Sequence, residues 1–361
     1  MRVALVYDRV NKIGGAERVL ETLHQIWPEA PLYTAVFYPQ TAPWSKKFKV
    51  IPSFLNKFPL ARKRHEAYPY LMPLAFESFD FNEYDVVISV TSEAAKGIVT
   101  QPKTFHLCYC LTPTRYLWSG YDDYFQNNFF RFLTKPMVAY LRYWDRFACQ
   151  RPDAYLAISQ NVQKRIKKYY QKDSAILYPP LDTEKWSLGE EKVEDYFLVV
   201  SRLVSYKKVD LAIQAFNQLG LPLKIVGTGS QMGRLKRMAQ KNIEFLGQLT
   251  DKELLGYYQR CQALIFPQEE DLGMVPLEAQ ACGRPVIAYQ GGGALETVIE
   301  GKTGLFFDSQ TPGSLIRAIK KFEKKRFNSQ ACRQNAERFS QENFKEGIKE
   351  VVEKKWKNFQ N

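Results

Sequence analysis

The chain has 361 residues, 45% hydrophobic and 25% charged, which fits a folded protein of two domains at roughly 100–200 residues each and excludes a disordered or fibrous chain. No apolar run reaches the ~18 residues of a membrane span, and Met1-Arg-Val-Ala-Leu-Val-Tyr7 is interrupted too soon by Asp8 for a secretory signal, so a cytoplasmic location is expected. The net charge of +13 implies an anionic partner, with nucleic acid, an acidic membrane leaflet or a phosphate-bearing substrate as the options.

Val3–Tyr7 reads as a first buried strand. Gly14-Gly15-Ala16-Glu17 follows, and a helical pattern runs from Ala16 to about Ile26. Glycines admit an anion close to the backbone, and a helix N-terminus adds N–H donors and a positive dipole. The spacing is not that of a dinucleotide fingerprint, so the pair reads either as a plain turn or as a phosphate-facing one. Segment 46–64 carries Lys46, Lys47, Lys49, Lys57, Arg62, Lys63 and Arg64 with no acid, interleaved with Phe48, Phe54, Leu55, Phe58 and Leu60. That pattern reads as a basic amphipathic membrane-docking segment or as a solvated loop. Short apolar runs at 84–90, 106–111 and 155–159 suit buried parallel strands, with Ser159 and Asn161 placed to open the helix after the third. Six scattered cysteines form no CxxC pair. Cys108 and Cys110 face one side of a strand as small core residues, and with three histidines in the chain no metal site is expected.

Between Leu177 and Asp195 the texture becomes that of a connector, and then the strand–helix rhythm restarts. Strands are read at 197–201, 223–227, 243–247, 263–267 and 285–289, and a charged amphipathic helix at about 343–359. Two parallel-sheet halves of this kind face a cleft, where strand carboxyl ends and helix N-termini favour phosphate. Arg202 and Lys207 stand just past the first strand of the second half, as a fork and a point charge suited to a diphosphate. Val226-Gly227-Thr-Gly229 follows the next strand as a turn. Glu270-Asp-Leu272-Gly273-Met274-Val275-Pro276-Leu-Glu278 is the most specific stretch. Gly273 makes a tight turn, the helix is read as starting near Pro276, and Glu278 falls in its first turn. Two carboxylates can accept paired hydrogen bonds from vicinal hydroxyls, while the N–H groups of Gly273, Met274 and Val275 face an anion. Gln290-Gly-Gly-Gly293-Ala-Leu-Glu296 is a second glycine loop that can line the same pocket.

These motifs, in this order, resemble the retaining family-4 glycosyltransferases, and the similarity extends to their bacterial O-antigen and exopolysaccharide subgroup, including GDP-mannose-dependent mannosyltransferases. The Glu-x7-Glu motif of that family matches Glu270 and Glu278, its Arg…Lys pair Arg202 and Lys207, and its N-terminal glycine loop Gly14 and Gly15. The resemblance implies a GT-B fold of two Rossmann-like domains: 1–180, with a C-terminal helix 341–361 packing back on it, on the acceptor side, and 181–340 on the donor side. It also implies roles. Arg202 and Lys207 neutralise the donor diphosphate, and Gly15 approaches it. Glu270 binds sugar hydroxyls with the backbone of Leu272, Gly273 and Met274. Val275 N–H meets a phosphate, and Glu278 holds the ribose. Gly227 borders the site, and Gly247, Gln248 and Leu249 read the base through backbone.

The implied reaction transfers a hexose from a UDP-glucose-type or GDP-mannose donor to a saccharide or lipid-linked saccharide, with retention, in surface polysaccharide synthesis. The leaving diphosphate helps to deprotonate the acceptor. No DxD triplet occurs, so no metal or other cofactor is expected, and nucleic acid is not expected as a partner. One departure stands out. The run Cys108-Tyr-Cys-Leu111-Thr-Pro-Thr-Arg115-Tyr has Leu111 where the subgroup commonly has His, so Thr112, Arg115 or His106 contributes instead, or turnover is lowered, or acceptor geometry differs. The alternatives are a donor-binding homologue of weak or no activity, or an epimerase- or phosphorylase-like enzyme.

Overall fold

The computed structural model describes residues 1–12, 14–121, 128–190 and 192–360. The chain divides into two compact units, Met1–Pro180 with Phe344–Asn361, and Leu181–Asn343.

The first unit is built on a seven-stranded parallel sheet. Its strands are β1 (Val3–Tyr7), β2 (Leu32–Thr34), β3 (Val50–Pro52), β4 (Val86–Thr91), β5 (Phe105–Cys110), β6 (Ala154–Ala157) and β7 (Ala175–Ile176), in the order β3-β2-β1-β4-β5-β6-β7. β1, β4 and β5 are buried at every residue, as the unbroken apolar runs of a sheet covered on both faces require. Ser159 caps the helix Gln160–Tyr170, its Oγ accepting from Val162 N at 3.1 Å. The helix Gln341–Gln360 packs onto this unit from Phe344 onward. Phe344, Ile348 and Val352 are buried, and the rings of Phe344 and Phe359 lie 5.7 Å from Tyr109 and 5.5 Å from Phe105.

Segment 46–64 is not an amphipathic helix. It forms a short 3-10 turn, the edge strand β3 and a second turn, and it sends Phe48, Leu55 and Ala61 into the core. Of its large apolar residues, Phe48 and Leu55 are core residues, while Phe54, Phe58 and Leu60 stay exposed. The long helix Asn128–Ala148 has no counterpart in the periodicity reading.

The second unit carries a six-stranded parallel sheet. Its strands are β8 (Phe197–Val200), β9 (Leu223–Val226), β10 (Ile243–Gly247), β11 (Leu264–Phe266), β12 (Val286–Tyr289) and β13 (Gly304–Phe307), ordered β10-β9-β8-β11-β12-β13. The chain runs outward from β8 on one side, then returns to β11 and runs outward on the other. The order reverses between β8 and β11, and at such a point the loops leaving the carboxyl ends diverge and make room for a ligand.

Candidate functional site

The loops after β8 and β11 carry the charged residues singled out in the second unit. Lys207 ends a 3-10 turn, Ser205–Lys207, closed by the left-handed Lys208 (φ +53). Its Nζ forms an ion pair with Glu270 Oε1, and the two side chains are 11% and 19% exposed. Arg202 differs: it is exposed, and its Nη2 donates to Tyr206 Oη. The Tyr206 ring centre lies 6.0 Å from the Arg202 guanidinium and 5.0 Å from Lys207 Nζ, so both cations lie over one aromatic ring.

Gly273 is required twice over. Its φ is +91, and a Cβ there would lie 3.1 Å from Phe266 Cζ. The helix that follows is Met274–Ala281, which corrects the reading that starts it near Pro276. Proline is tolerated anywhere in a first turn, because no N–H there has a helical partner, so it marks the start only loosely. The N–H groups of Met274 and Val275 are first-turn donors. Glu278 is the fifth helical residue and not in the first turn. Its position is explained by burial and by Tyr258, whose hydroxyl donates to Glu278 Oε2 at 2.9 Å. Leu272 is buried and can offer a ligand only its backbone.

The second glycine loop comes to the first. Gly293 N donates to Glu270 O at 2.9 Å. A Cβ on Gly292 would lie 2.4 Å from that same oxygen, and one on Gly293 would lie 2.2 Å from Leu272 Cα. These glycines let the β12 loop pack backbone to backbone on the loop that carries Glu270. On the other flank, Gly227 (φ +129) presses on Ser201, where a Cβ would sit 1.9 Å from the carbonyl oxygen, and its N donates to Gly247 O at 2.7 Å. Gly247 is left-handed (φ +71), Gln248 is exposed and Leu249 half-buried. Thr250 then closes a capping box with Glu253.

In the first unit, Gly14 precedes the helix Gly15–Ile26, and a Cβ on Gly15 would meet nothing within 4 Å. Glu17, in the first turn, is buried. Its Oε1 accepts from Tyr7 Oη at 2.9 Å, and its Oε2 has no hydrogen-bond partner among the described residues. Beside it lies a buried charge network that the sequence reading did not find. Asp8 accepts from Thr91 Oγ1 (2.9 Å), Ser92 N (2.7 Å) and Ala95 N (2.9 Å), tying the carboxyl ends of β1 and β4 together, and burial raises its pKa. Glu93 is ion-paired with Arg9, and His65 Nε2 lies 3.7 Å away. Burial pushes the Glu93 carboxyl up, but Arg9 and then His65 outweigh it and bring it down to about 2. The partners lie 84 residues apart, so no local spacing announced them.

Leu111 follows β5 at its carboxyl end, half-buried, with its N–H donating to Thr91 O at 2.8 Å. His106 is ruled out as its substitute. It sits near the amino end of β5, wholly buried, with its Nε2 2.8 Å from Ser89 Oγ, and burial together with Arg151 lowers its pKa to about 3. Thr112 is buried and accepts from Arg165 Nη1 at 3.4 Å.

Residues 181–339 match the family described as "Glycosyl transferases group 1", and residues 13–185 the one described as "Glycosyltransferase Family 4". The chain belongs to the family-4 glycosyltransferases. An uncharacterized glycosyltransferase of Methanocaldococcus jannaschii is 27% identical over 221 residues, 59% of this chain and 62% of that protein. A GDP-mannose-dependent alpha-(1-6)-phosphatidylinositol monomannoside mannosyltransferase of Mycolicibacterium smegmatis is 33% identical over 154 residues, 38% of this chain and 40% of that protein. The chain thus matches about two-fifths to three-fifths of the length of these relatives. The Anabaena protein HepE, solved in complex with UDP-glucose, superposes with a TM-score of 0.72 at 18% identity over 98% of this chain and 100% of its own. A sucrose-phosphate synthase from Thermosynechococcus elongatus gives 0.75 at 15% over 99% and 100%. With the two parallel sheets, these neighbours establish the GT-B fold.

Proposed function

We propose that this chain is a retaining hexosyltransferase, using a UDP-glucose-type or GDP-mannose donor and a saccharide or lipid-linked saccharide acceptor in surface polysaccharide synthesis. It would work in the cytoplasm, peripherally on the inner face of the membrane. The observation that carries the reading is the Lys207–Glu270 ion pair at the reversal of strand order, beside the helix start at Gly273.

The pair is chemically apt for a nucleoside diphosphate sugar. A diphosphate arriving at the loop after β8 competes for Lys207, and Glu270 is then free to accept hydrogen bonds from sugar hydroxyls. Arg202 adds a second cation, and the N–H groups of Met274 and Val275 add donors. Negative charge grows on the diphosphate as the bond to the sugar breaks, so these groups bind the transition state more tightly than the ground state. Glu278, oriented by Tyr258, accepts from the ribose. The diphosphate is neutralised by protein cations and not by a metal, so EDTA is expected to leave the rate unchanged. The relative that is GDP-mannose-dependent and the neighbour solved with UDP-glucose support both donor types.

The test is calorimetric titration of UDP, GDP, UDP-glucose and GDP-mannose into wild type and Glu270→Ala, with transfer and donor hydrolysis assayed in parallel. Glu270→Ala is expected to abolish transfer and to weaken the intact donor far more than the free diphosphate. Equal loss for both ligands would overturn the sugar contact. Donor turnover that never needs an acceptor would favour epimerase- or phosphorylase-like chemistry. A second reading, a donor-binding homologue of low turnover, rests on Leu111, whose side chain has no hydrogen-bonding group. Leu111→His raising turnover at unchanged donor affinity would support it.

A further inference from the structure

The two units differ in where they leave large apolar side chains exposed. Among the described residues of the second unit, the one aromatic side chain exposed is Tyr206, at the candidate site. In the first unit Phe54 and Phe58 are each a little over a third exposed, and the most exposed aromatics collect on the helix Asn128–Ala148. Phe132 is 74% exposed, Tyr143 65% and Phe147 55%, with Tyr140 and Leu133 also exposed.

Their arrangement is ordered. At about 100° per residue, the outward half of the helix divides lengthwise into two rows. One row holds Phe132, Pro136, Tyr140, Tyr143 and Phe147, with Leu133 at its edge. The other holds the exposed Arg131, Lys135 and Arg146, while Arg142 beside them is half-buried and donates from Nε to Leu117 O at 2.7 Å. The buried half carries Val138, Leu141 and Ala148. The helix has a single acid, Asp145, and it is on the buried half, paired with Lys96. No acidic side chain therefore offsets the basic row on this helix. The apolar row continues onto the neighbouring segment, where the Tyr70 ring lies 5.7 Å from that of Tyr140, and Tyr70 and Leu74 are both about half exposed.

We infer that this face of the helix docks on an anionic membrane leaflet, with the aromatic row entering the headgroup boundary and the basic row lying over acidic headgroups. The aromatic row supplies apolar area and the cations supply the attraction, which are the two contributions an interfacial helix needs. The inference places docking on this helix rather than on segment 46–64, where Phe48 and Leu55 are core residues while Phe54, Phe58 and Leu60 stay exposed. This deepens the peripheral placement proposed above. Vesicle binding is read without turnover, so either reading can fail while the other stands.

The experiment is co-sedimentation of the full chain with phosphatidylglycerol-containing and with pure phosphatidylcholine vesicles. Wild type is expected to pellet with the former, to release in high salt, and to stay largely in solution with the latter. Phe132→Ser/Tyr143→Ser/Phe147→Ser, and separately Arg131→Glu/Lys135→Glu, should each weaken vesicle binding at least about tenfold. Lys46→Glu/Lys47→Glu should change it less than about twofold. Circular dichroism establishes folding, and the charge-reversal pair decides the matter if the triple variant misfolds. Wild type left in the supernatant, equal binding to both vesicle types, or loss confined to the Lys46/Lys47 variant would overturn the inference. So would a dimer in sedimentation equilibrium that the triple variant dissolves while vesicle binding persists, which would assign the face to a second copy of this chain.

Discussion

The two units share one design, a parallel sheet with loops at its carboxyl ends, but they use charge in opposite ways. Beside its Arg9–Glu93 pair, whose side chains are 14% and 21% exposed, the first unit seals a set of charges completely. Asp8, Lys96 and Asp145 are buried and their charged groups are met by hydrogen bonds or opposite charges, while Lys96 Nζ also lies 5.3 Å from the Tyr170 ring centre. The second unit leaves its key pair part-exposed, with Lys207 and Glu270 holding each other on two loops. Sealed charges cannot exchange partners without a large desolvation cost, so they fix the strand ends. A part-exposed pair can exchange one partner for a ligand, and that difference separates scaffold from site.

The comparison breaks most readily at Asp145. It accepts from Lys96 Nζ (2.5 Å), Thr114 Oγ1 (3.1 Å) and Trp118 Nε1 (2.7 Å). Asp145→Ala strands a buried ammonium and is expected to cost about 3–5 kcal/mol in urea unfolding. If the first unit tolerates it with little loss, its charges are not sealed. The next effect is on pH. His106 is held at about 3 against an ordinary 6.5, so the unfolded chain takes up its proton first. The stability of the neutral ring is full above pH 6.5 and falls as pH drops towards 3, by about 1.4 kcal/mol per pH unit. Glu93, at about 2 against 4.5, adds its own loss below pH 4.5. Unfolding midpoints between pH 7.5 and 4.5 should fall accordingly, and His106→Gln should flatten that limb.

Three smaller effects sharpen the second unit. Lys207→Ala removes a largely buried cation and should weaken a nucleoside diphosphate about ten- to a hundredfold, since hydrogen bonds to charged groups contribute about 1.5–3 kcal/mol. Arg202→Ala, at an exposed and water-screened position, should cost less than about tenfold; titration of both variants with UDP and GDP reads the ratio. Tyr258→Phe deletes one donor to Glu278 and should cost about 1 kcal/mol in diphosphate binding, with an unchanged ratio of intact donor to free diphosphate.

Much of the fold was legible because buried parallel strands are unbroken apolar runs: Val3–Tyr7, the run inside 84–90 and Phe197–Val200 stand where they were read. The edge strands of the first sheet were not legible, whereas the edge strand Ile243–Gly247 of the second was read where it stands. Val50–Pro52 and Ala175–Ile176 are short, only partly buried and carry no apolar signature. The helix Asn128–Ala148 was missed because aromatics lie on its exposed as well as its buried side, which blurs the 3.6-residue period. Pro276 misplaced the helix start by two residues, since any first-turn position suits proline.

The sequence by itself determined the two α/β halves, the family resemblance and the order of the motifs, because all three are properties of local runs and short spacings. The tertiary structure decided which of those residues meet. It separated Lys207 from Arg202 by burial, joined Lys207 to Glu270 across 63 positions of chain, and recast Gly292 and Gly293 as the close packing beneath the Glu270 loop. It also left a row of aromatics on the helix Asn128–Ala148 facing water while Val138 and Leu141 pack inward. Pairing between distant loops, and the face a helix presents, depend on strand order and on what packs behind each element, and neither is written in the spacing of residues along the chain.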